Sequence, residues 1–223
     1  MIQFLEGKNV WQGEEYFLWH KRSARGLSCR LAHSSCVRFS SGVIFVVSIT
    51  IELPDLESQT RFNLARWADI LADPELAKLP YRIETDQYGR ILMSPPPASR
   101  HGRRQVKIGA LLLELLSAGE TISECPLSTA AGVRAVDVAW LAPQRSEIGQ
   151  DPTIFLRAPD ICIEILSPSN TTAEIDEKRA LYFDAGAAEV WICDLDGAII
   201  FFVSPDDQNF ISILCPAFPN RIP

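Results

Sequence analysis

A chain of 223 residues, 47% hydrophobic and 22% charged, has room for one domain of moderate size with or without an appendage. Its net charge of −7 excludes a wholly electrostatic nucleic-acid binder while leaving room for a local basic groove. No apolar run approaches the ~20 residues that cross a bilayer, and the longest, residues 43–51, is too short and too far in for an ordinary signal peptide.

The six cysteines are Cys29, Cys36, Cys125, Cys162, Cys193 and Cys215, with no C-x-x-C pair among them. Cys162 and Cys193 fall inside apolar, strand-like runs. That usage points to reduced, mostly buried thiols in a cytoplasmic protein. Cys29, His33 and Cys36 sketch a metal site, but no fourth ligand accompanies them.

In chain order, residues 1–50 carry Trp11, Trp19, His20, Arg22, Arg25 and Arg30 without a helical or strand period, and only 42–51 looks strand-like. They read as an N-terminal extension, with a specific binding module as the alternative. The domain proper is therefore placed at 51–223. Phe62, Leu64, Ala65, Trp67, Ala68, Ile70 and Leu71 suit a helix capped by Thr60 and ended near Pro74. Residues 81–85 and 90–93 read as short strands joined by Asp86-Gln87-Tyr88-Gly89 in a hairpin.

Pro95-Pro96-Pro97 stiffens the approach to a second helix over 100–117, with Ser99 as its cap. Its first turns hold Arg100, His101, Arg103, Arg104 and Lys107, where positive charge opposes the helix dipole. A solvated face is the commoner explanation for such a run; a grip on a phosphate backbone is the alternative. Residues 121–125 and 133–141 look like further strands. In the second, Val133, Ala135, Asp137, Ala139 and Leu141 share a face, with Val136, Val138 and Trp140 opposite. Asp137 is thus a mid-strand carboxylate among apolar neighbours.

After a loop over 143–157, the run Ile161-Cys162-Ile163-Glu164-Ile165-Leu166 between Pro159 and Pro168 predicts a strand buried on both faces. Glu164 then sits where an ionised carboxylate is costly without a partner, and a cation is the natural one. The next helix opens on Thr171-Thr172-Ala173-Glu174, a capping box, and closes at Gly186. Ile175, Leu181, Tyr182 and Ala185 share one of its faces, with Lys178 near the centre. That lysine either snorkels to the rim or is aimed at Glu164. A strand over 189–195, a two-residue turn at Asp196-Gly197 and a returning strand over 198–203 follow. The tail from Pro205 holds at most one more short strand, near 210–214.

Two mid-strand carboxylates and an inward lysine fit a magnesium-dependent phosphodiesterase site. Magnesium takes hard oxygen ligands, usually one or two carboxylates plus waters and phosphate oxygens. It polarises the phosphoryl group, and a lysine orients the attacking water or stabilises developing charge. Asp160 is a poorer partner for Glu164, because four residues along a strand is about 13 Å. The other reading pairs Asp137 and Glu164 with arginines as structural carboxylates. The pattern alone leaves both open.

Several stretches then carry a resemblance: Tyr81-Arg82-Ile83-Glu84, Met93-Ser94-Pro95 with His101 following, and Val133-Arg134-Ala135-Val136-Asp137-Val138-Ala139. The most specific are PDICIEILSPSN, beginning at Pro159, then Asp176-Glu177-Lys178, and AGAAEVWICDL, beginning at Ala185. Over residues 61–203 the chain resembles the Uma-type (Uma-two) family of restriction endonucleases in the PD-(D/E)xK nuclease superfamily. Residues 1–50 have no counterpart in it. The resemblance implies an α/β fold with a restriction-endonuclease-like core, a mixed α+β sheet flanked by helices. It implies Asp137 and Glu164 as ligands of Mg2+ or Mn2+, Lys178 as the catalytic lysine, and Glu84 and His101 as accessory residues. It also implies a DNA substrate and a homodimer.

Two departures stand out. The superfamily's Pro-Asp is Val136-Asp137 here, which keeps the carboxylate. The lysine expected two residues after the acid is Leu166, so Lys178 has to supply the amine from the helix. The resulting expectation is a cytoplasmic, magnesium-dependent DNA endonuclease, with Arg100, Arg103, Arg104 and Lys107 holding DNA. Its rivals are a catalytically weak relative that binds nucleic acid or protein, and a structural protein with a buried ion-pair network.

Overall fold

The structure, a computed structural model, describes residues 30–39, 42–50, 56–116, 118–145 and 152–222. The chain divides into two units, Met1–Leu53 and Pro54–Pro223. In the first, β1 (Arg30–Phe39) and β2 (Gly42–Thr50) pair antiparallel from Phe39↔Gly42 to Arg30↔Thr50. Only β2 was expected, because β1 mixes Arg, His and Ser with few apolar positions and shows no alternation. Cys29, of the sketched metal site, lies outside the described residues, as do residues 1–28.

The second unit opens with α1 (Leu56–Ala72), which starts one turn before the expected Thr60 cap. Thr60 Oγ1 donates to the Leu56 carbonyl at 2.8 Å, inside the helix. Trp67 and Ile70 pack on Val133 and Ile154. Buried Asn63 donates to Ser128 Oγ and the Thr129 carbonyl, both at 2.9 Å, which docks α1 by paired polar groups as well as by apolar area. β3 (Arg82–Thr85) and β4 (Ile91–Ser94) form the expected hairpin, with Asp86 Oδ1 accepting from the Tyr88 and Arg90 amides at 2.9 Å. Then comes α2 (Ser99–Leu115), whose N-cap is Ala98 rather than Ser99, with no side-chain cap.

β5 (Glu120–Thr129), β6 (Gly132–Leu141), β7 (Ile161–Ile165), β8 (Glu189–Cys193), β9 (Ile199–Phe202) and β10 (Gln208–Asn209) form one sheet in the order β10-β9-β8-β7-β6-β5. Every neighbour is antiparallel except β7 and β8, which are parallel and joined through α3 (Thr172–Asp184). A parallel pair needs such a crossover, and an antiparallel pair does not. The sheet is therefore mixed.

β7 is the central strand, buried at every residue, as its apolar run predicts. Ile161, Ile163 and Ile165 pack with Ile108 and Leu112 of α2 on one side. Cys162 packs with Ile175 and Tyr182 of α3 on the other. The helices thus flank opposite faces of the sheet. The cysteines described, Cys125, Cys162, Cys193 and Cys215, are free and buried. Among the described residues no helix is long and apolar enough to cross a membrane.

Two local expectations need correction. The β8–β9 turn is a three-residue loop, Leu195-Asp196-Gly197, closed by Asp194 N donating to the Ala198 carbonyl at 2.9 Å. Asp194 Oδ1 accepts from the Asp196 and Ala198 amides at 2.8 Å and so competes with the tighter turn. The last strand is Gln208–Asn209, whereas 210–214 leaves the sheet with Phe210, Ile211 and Ile213 exposed. That segment is instead tied to buried Glu189, whose Oε1 accepts from the Ile213 and Leu214 amides at 2.6 and 2.7 Å. Trp191 Nε1 and Ser212 Oγ donate to its Oε2 at 2.7 Å.

Gly132, at φ +105, sits where β3 meets the β5–β6 turn, and a Cβ there lies 2.3 Å from the Thr85 carbonyl oxygen. Gly132→Ala is expected to cost about 2 kcal/mol, from the left-handed backbone and the clash, measured by urea unfolding. The domain boundary near residue 51 also yields an expectation. A chain beginning at Glu52 should melt cooperatively at a temperature close to that of the full chain; insolubility of the shortened chain would make residues 1–51 part of the core.

Candidate functional site

Glu164 takes its place from β7. The β6–β7 register runs Trp140↔Ile161, Ala139↔Cys162 and Val138↔Ile163, after which Asp137 and Glu164 are the next residues of the two strands. Asp137 Oδ2 accepts from the Ile165 amide at 2.7 Å, tying the two strands at this point. Glu164 is 4% exposed, and α3 serves both of its oxygens. Tyr182 donates to Oε1 at 2.6 Å and Lys178 Nζ lies 3.1 Å from Oε2. These two residues are four apart and so share one face of α3. The helix is held by the expected capping box: Thr171 N donates to Glu174 Oε2 at 2.8 Å and Glu174 N to Thr171 Oγ1 at 3.3 Å. Gly186 follows at φ +100.

β3 brings the third carboxylate. Thr85 Oγ1 accepts from the Val133 amide at 2.9 Å, and Glu84 Oε1 accepts from the Ala135 amide at 3.0 Å, so β3 lies against β6. Lys178 Nζ is also 3.2 Å from Glu84 Oε1 and bridges the two glutamates. Two residues earlier on β3, Arg82 reaches Asp137. Its Nη1 donates to Asp137 Oδ1 at 2.5 Å, its Nη2 to the Ala135 carbonyl, and its Nε lies 3.2 Å from Glu124 Oε2.

β6 is irregular here. Val138 and Trp140 belong to the α2 side, whereas Val136 joins Ala139 and Leu141 on the α3 side. Strict alternation does not allow that, so the strand changes phase at Asp137, and the single face expected for positions 133 to 141 is wrong. Across from it Glu124 holds φ +53, in the left-handed region that few non-glycine residues occupy. Gln105 Nε2 donates to Glu124 Oε1 and to the Asp137 carbonyl, both at 2.8 Å. His101, from the first turn of α2, places Nε2 3.5 Å from Asp137 Oδ1.

The electrostatics follow from this crowding. Burial pushes the Glu164 carboxyl up, and the Asp137 charge adds to it; the Lys178 ammonium opposes both without cancelling them. Burial acts the same way on Asp137, but the His101 and Arg82 groups beside it win and hold it below the usual carboxylate range. Burial depresses Lys178, yet Glu164 and Glu84 outweigh it and raise the ammonium above its ordinary value. Asp137 also lifts the His101 imidazole above its usual range. Lys178 is thus a standing cation.

These groups line a cleft of about 490 Å³, which Arg82, Glu84, His101, Asp137, Glu164 and Lys178 share. Asp137, Glu164, Lys178, Glu84 and His101, all expected from the sequence, come together there. Asp160 does not; its Oδ2 accepts from the Ala142 amide at 2.8 Å. Arg100, Arg103 and Lys107 are exposed on the first turns of α2, the helix whose N-cap Ala98 and His101 line the cleft. Arg104 is a correction to the expected nucleic-acid contacts. It is buried, and its Nη1 and Nη2 donate to the Asp194 and Leu195 carbonyls at 2.7 and 2.8 Å. A guanidinium held by two carbonyls at a strand end is turned away from any phosphate. The sequence reading missed the parts played by Arg82, Tyr182 and Glu124, although Arg82 stands two before Glu84 and Tyr182 four after Lys178.

The donor set accommodates a divalent ion. Among the described residues, Asp137, Glu164, Glu84 and Glu124 crowd around Arg82 and Lys178, with Arg134 and His101 nearby. His101 Nε2 is buried, and its acceptor, Asp137 Oδ1, stands at 3.5 Å without well-formed hydrogen-bond geometry.

No curated protein matches the sequence. Among solved structures, one described as "a putative nuclease belonging to DUF820 from Anabaena variabilis" superposes with a TM-score of 0.50 at 22% identity, covering 60% of this chain and 80% of that one. At that identity the likeness speaks to the fold, a mixed sheet flanked by helices. The family described as "Putative restriction endonuclease", Uma2, matches residues 73–219, a span that holds β3 to β10 and every residue of the cleft named above. The chain belongs to the Uma2 family.

Proposed function

We propose that the protein is a metal-dependent DNA endonuclease that hydrolyses phosphodiester bonds in this cleft. Membership of a nuclease family sets the general class. The observation that carries the finer reading is Lys178 Nζ at 3.1 Å from Glu164 Oε2, beside Asp137. It supplies from α3 the amine that Leu166 lacks. Asp137 and Glu164 are the residues to hold Mg2+ or Mn2+, which when bound supplies Lewis acidity toward the phosphoryl oxygens and a more acidic water.

The chain's own groups do the rest. Tyr182 fixes one oxygen of Glu164, so the other keeps its direction. Lys178, held between Glu164 and Glu84, is protonated at neutral pH. It therefore orients water and stabilises charge on the phosphorane rather than accepting a proton. The α2 N-terminus and the exposed Arg100, Arg103 and Lys107 beside the cleft suit a phosphate backbone. A cytoplasmic location and a homodimer belong to the same proposal, the first resting on the free thiols and the second on family resemblance alone.

One observation favours the rival ion-pair network. Each oxygen of Asp137 and Glu164 already has a protein partner within 3.1 Å. Metal titration separates the readings, because a purely structural network has no carboxylate-dependent Mg2+ or Mn2+ binding.

Lys178→Ala is expected to lower cleavage of plasmid DNA by about a hundredfold or more while retaining Mn2+ binding. Glu164→Ala, prepared in parallel, should remove activity altogether and exclude a contaminating nuclease. Wild-type rates in Lys178→Ala would reduce that lysine to a structural cation. For DNA binding, Arg100→Gln, Arg103→Gln and Lys107→Gln together should flatten the plot of log affinity against log salt by about 2 to 3 in slope, roughly 0.9 per phosphate contact. Arg104→Gln should instead lower thermal stability and leave the slope unchanged.

A further inference from the structure

Four features on the Arg82 side of Asp137 have no part in the mechanism above: the left-handed Glu124, its Gln105 tether, the loosely held His101 nitrogen, and Arg82 itself. One ligand atom from each of His101, Glu124 and Asp137 lies within 4.8 Å of the other two. Two ligands of one ion at about 2.1 Å each stand no more than about 4.2 Å apart. The three atoms are therefore a small side-chain movement from a shared ion. The His101 side chain is 10% exposed, and its Nε2 is aimed at Asp137 Oδ1 from 3.5 Å with no hydrogen bond among the described residues.

A backbone strain supports the same reading. A glutamate at φ +53 is held against its backbone preference, and here its carboxylate lies beside Arg82, His101 and Asp137, with Gln105 holding one oxygen. The other oxygen, Oε2, faces Arg82 Nε at 3.2 Å without a well-formed hydrogen bond. Arg82 Nη1 meanwhile lies on Asp137 Oδ1, the same oxygen that His101 faces. The guanidinium thus stands between the carboxylates a cation would use.

We propose that His101, Glu124 and Asp137 form a three-residue divalent-cation site, and that Arg82 is its internal stand-in, displaced from Asp137 and Glu124 when the ion binds. The proposal rests on Asp137 as a metal ligand and adds to it two ligands and a competing cation. The stand-in reconciles the two readings of the cleft: the ion-pair network is what the metal-free protein forms. Two carboxylates with an imidazole also favour Mn2+ over Mg2+, since imidazole is a poor ligand for magnesium.

The test is Mn2+ binding by the full chain, followed by calorimetry and by electron paramagnetic resonance of the bound ion, which needs no turnover. Glu124→Gln and His101→Ala should each weaken Mn2+ binding by about tenfold or more. Pulsed resonance should show nitrogen modulation from a bound imidazole in the wild type and none in His101→Ala. Arg82→Gln should lower the melting temperature without metal and bind Mn2+ about tenfold more tightly than the wild type. Where His101→Ala does not fold, His101→Gln, closer in volume, takes its place. Wild-type affinity in both Glu124→Gln and His101→Ala overturns the site. If binding fails in Glu164→Ala while those two keep wild-type affinity, this inference falls and the endonuclease proposal stands. If the wild-type chain binds no Mn2+, both fall together. Unchanged affinity in Arg82→Gln overturns the stand-in.

Discussion

A carboxylate in the middle of the central strand governs this structure. Glu164 is almost fully buried on β7, and an ionised group there is tolerable only with a cation and a hydrogen-bond donor at hand. Both come from α3, as Lys178 and Tyr182, one helical turn apart. That demand sets the rotation of α3 over the sheet, because the face that buries Ile175 and Tyr182 must also deliver the ammonium. Packing and charge agree on one orientation, and the capping box with the left-handed Gly186 fixes where that helix starts and stops.

The same logic spreads outward. Asp137 next to Glu164 doubles the buried negative charge, and β3 answers with Arg82 while adding Glu84. β3 can approach so closely because Gly132 leaves room for the Thr85 carbonyl. Each new charge calls for another partner, and Arg134 and His101 join the cluster at its edge. Removing either partner of such a buried pair leaves a stranded charge, so substitutions here affect folding and chemistry together.

Glu189 is an instructive contrast, since it is buried to a similar degree with no ion-pair partner among the described residues. Two backbone amides, Trp191 and Ser212 donate to it, so its charge is spread over four hydrogen bonds that tie the tail to β8. It lies in a stretch that the family resemblance covers, yet its work is structural. Burial of a carboxylate therefore does not by itself mark a catalytic residue. The composition of the surroundings differs: amides and hydroxyls around Glu189, ammonium and guanidinium groups around Glu164 and Asp137.

By itself the sequence determined the local pieces. The apolar run around Glu164, the capping box, the Asp86–Gly89 turn and the family motifs sufficed for β7, α3, the β3–β4 hairpin and the cluster of Asp137, Glu164, Lys178, Glu84 and His101, because each signal is carried by residues close together in the chain. What depended on contacts between distant segments was decided only in the tertiary structure. β1 has no alternation of its own and exists through its ladder with β2. Arg104 belongs to a basic run by sequence, yet the end of β8 takes its guanidinium. The phase change at Asp137 and the left-handed Glu124 arise where β3, α2 and β5 converge on β6. Arg82 reads as one more strand arginine until β3 is laid against β6, which carries its guanidinium onto Asp137. Periodicity reports which face a residue shares with its near neighbours; it carries no record of which distant charge will meet it there.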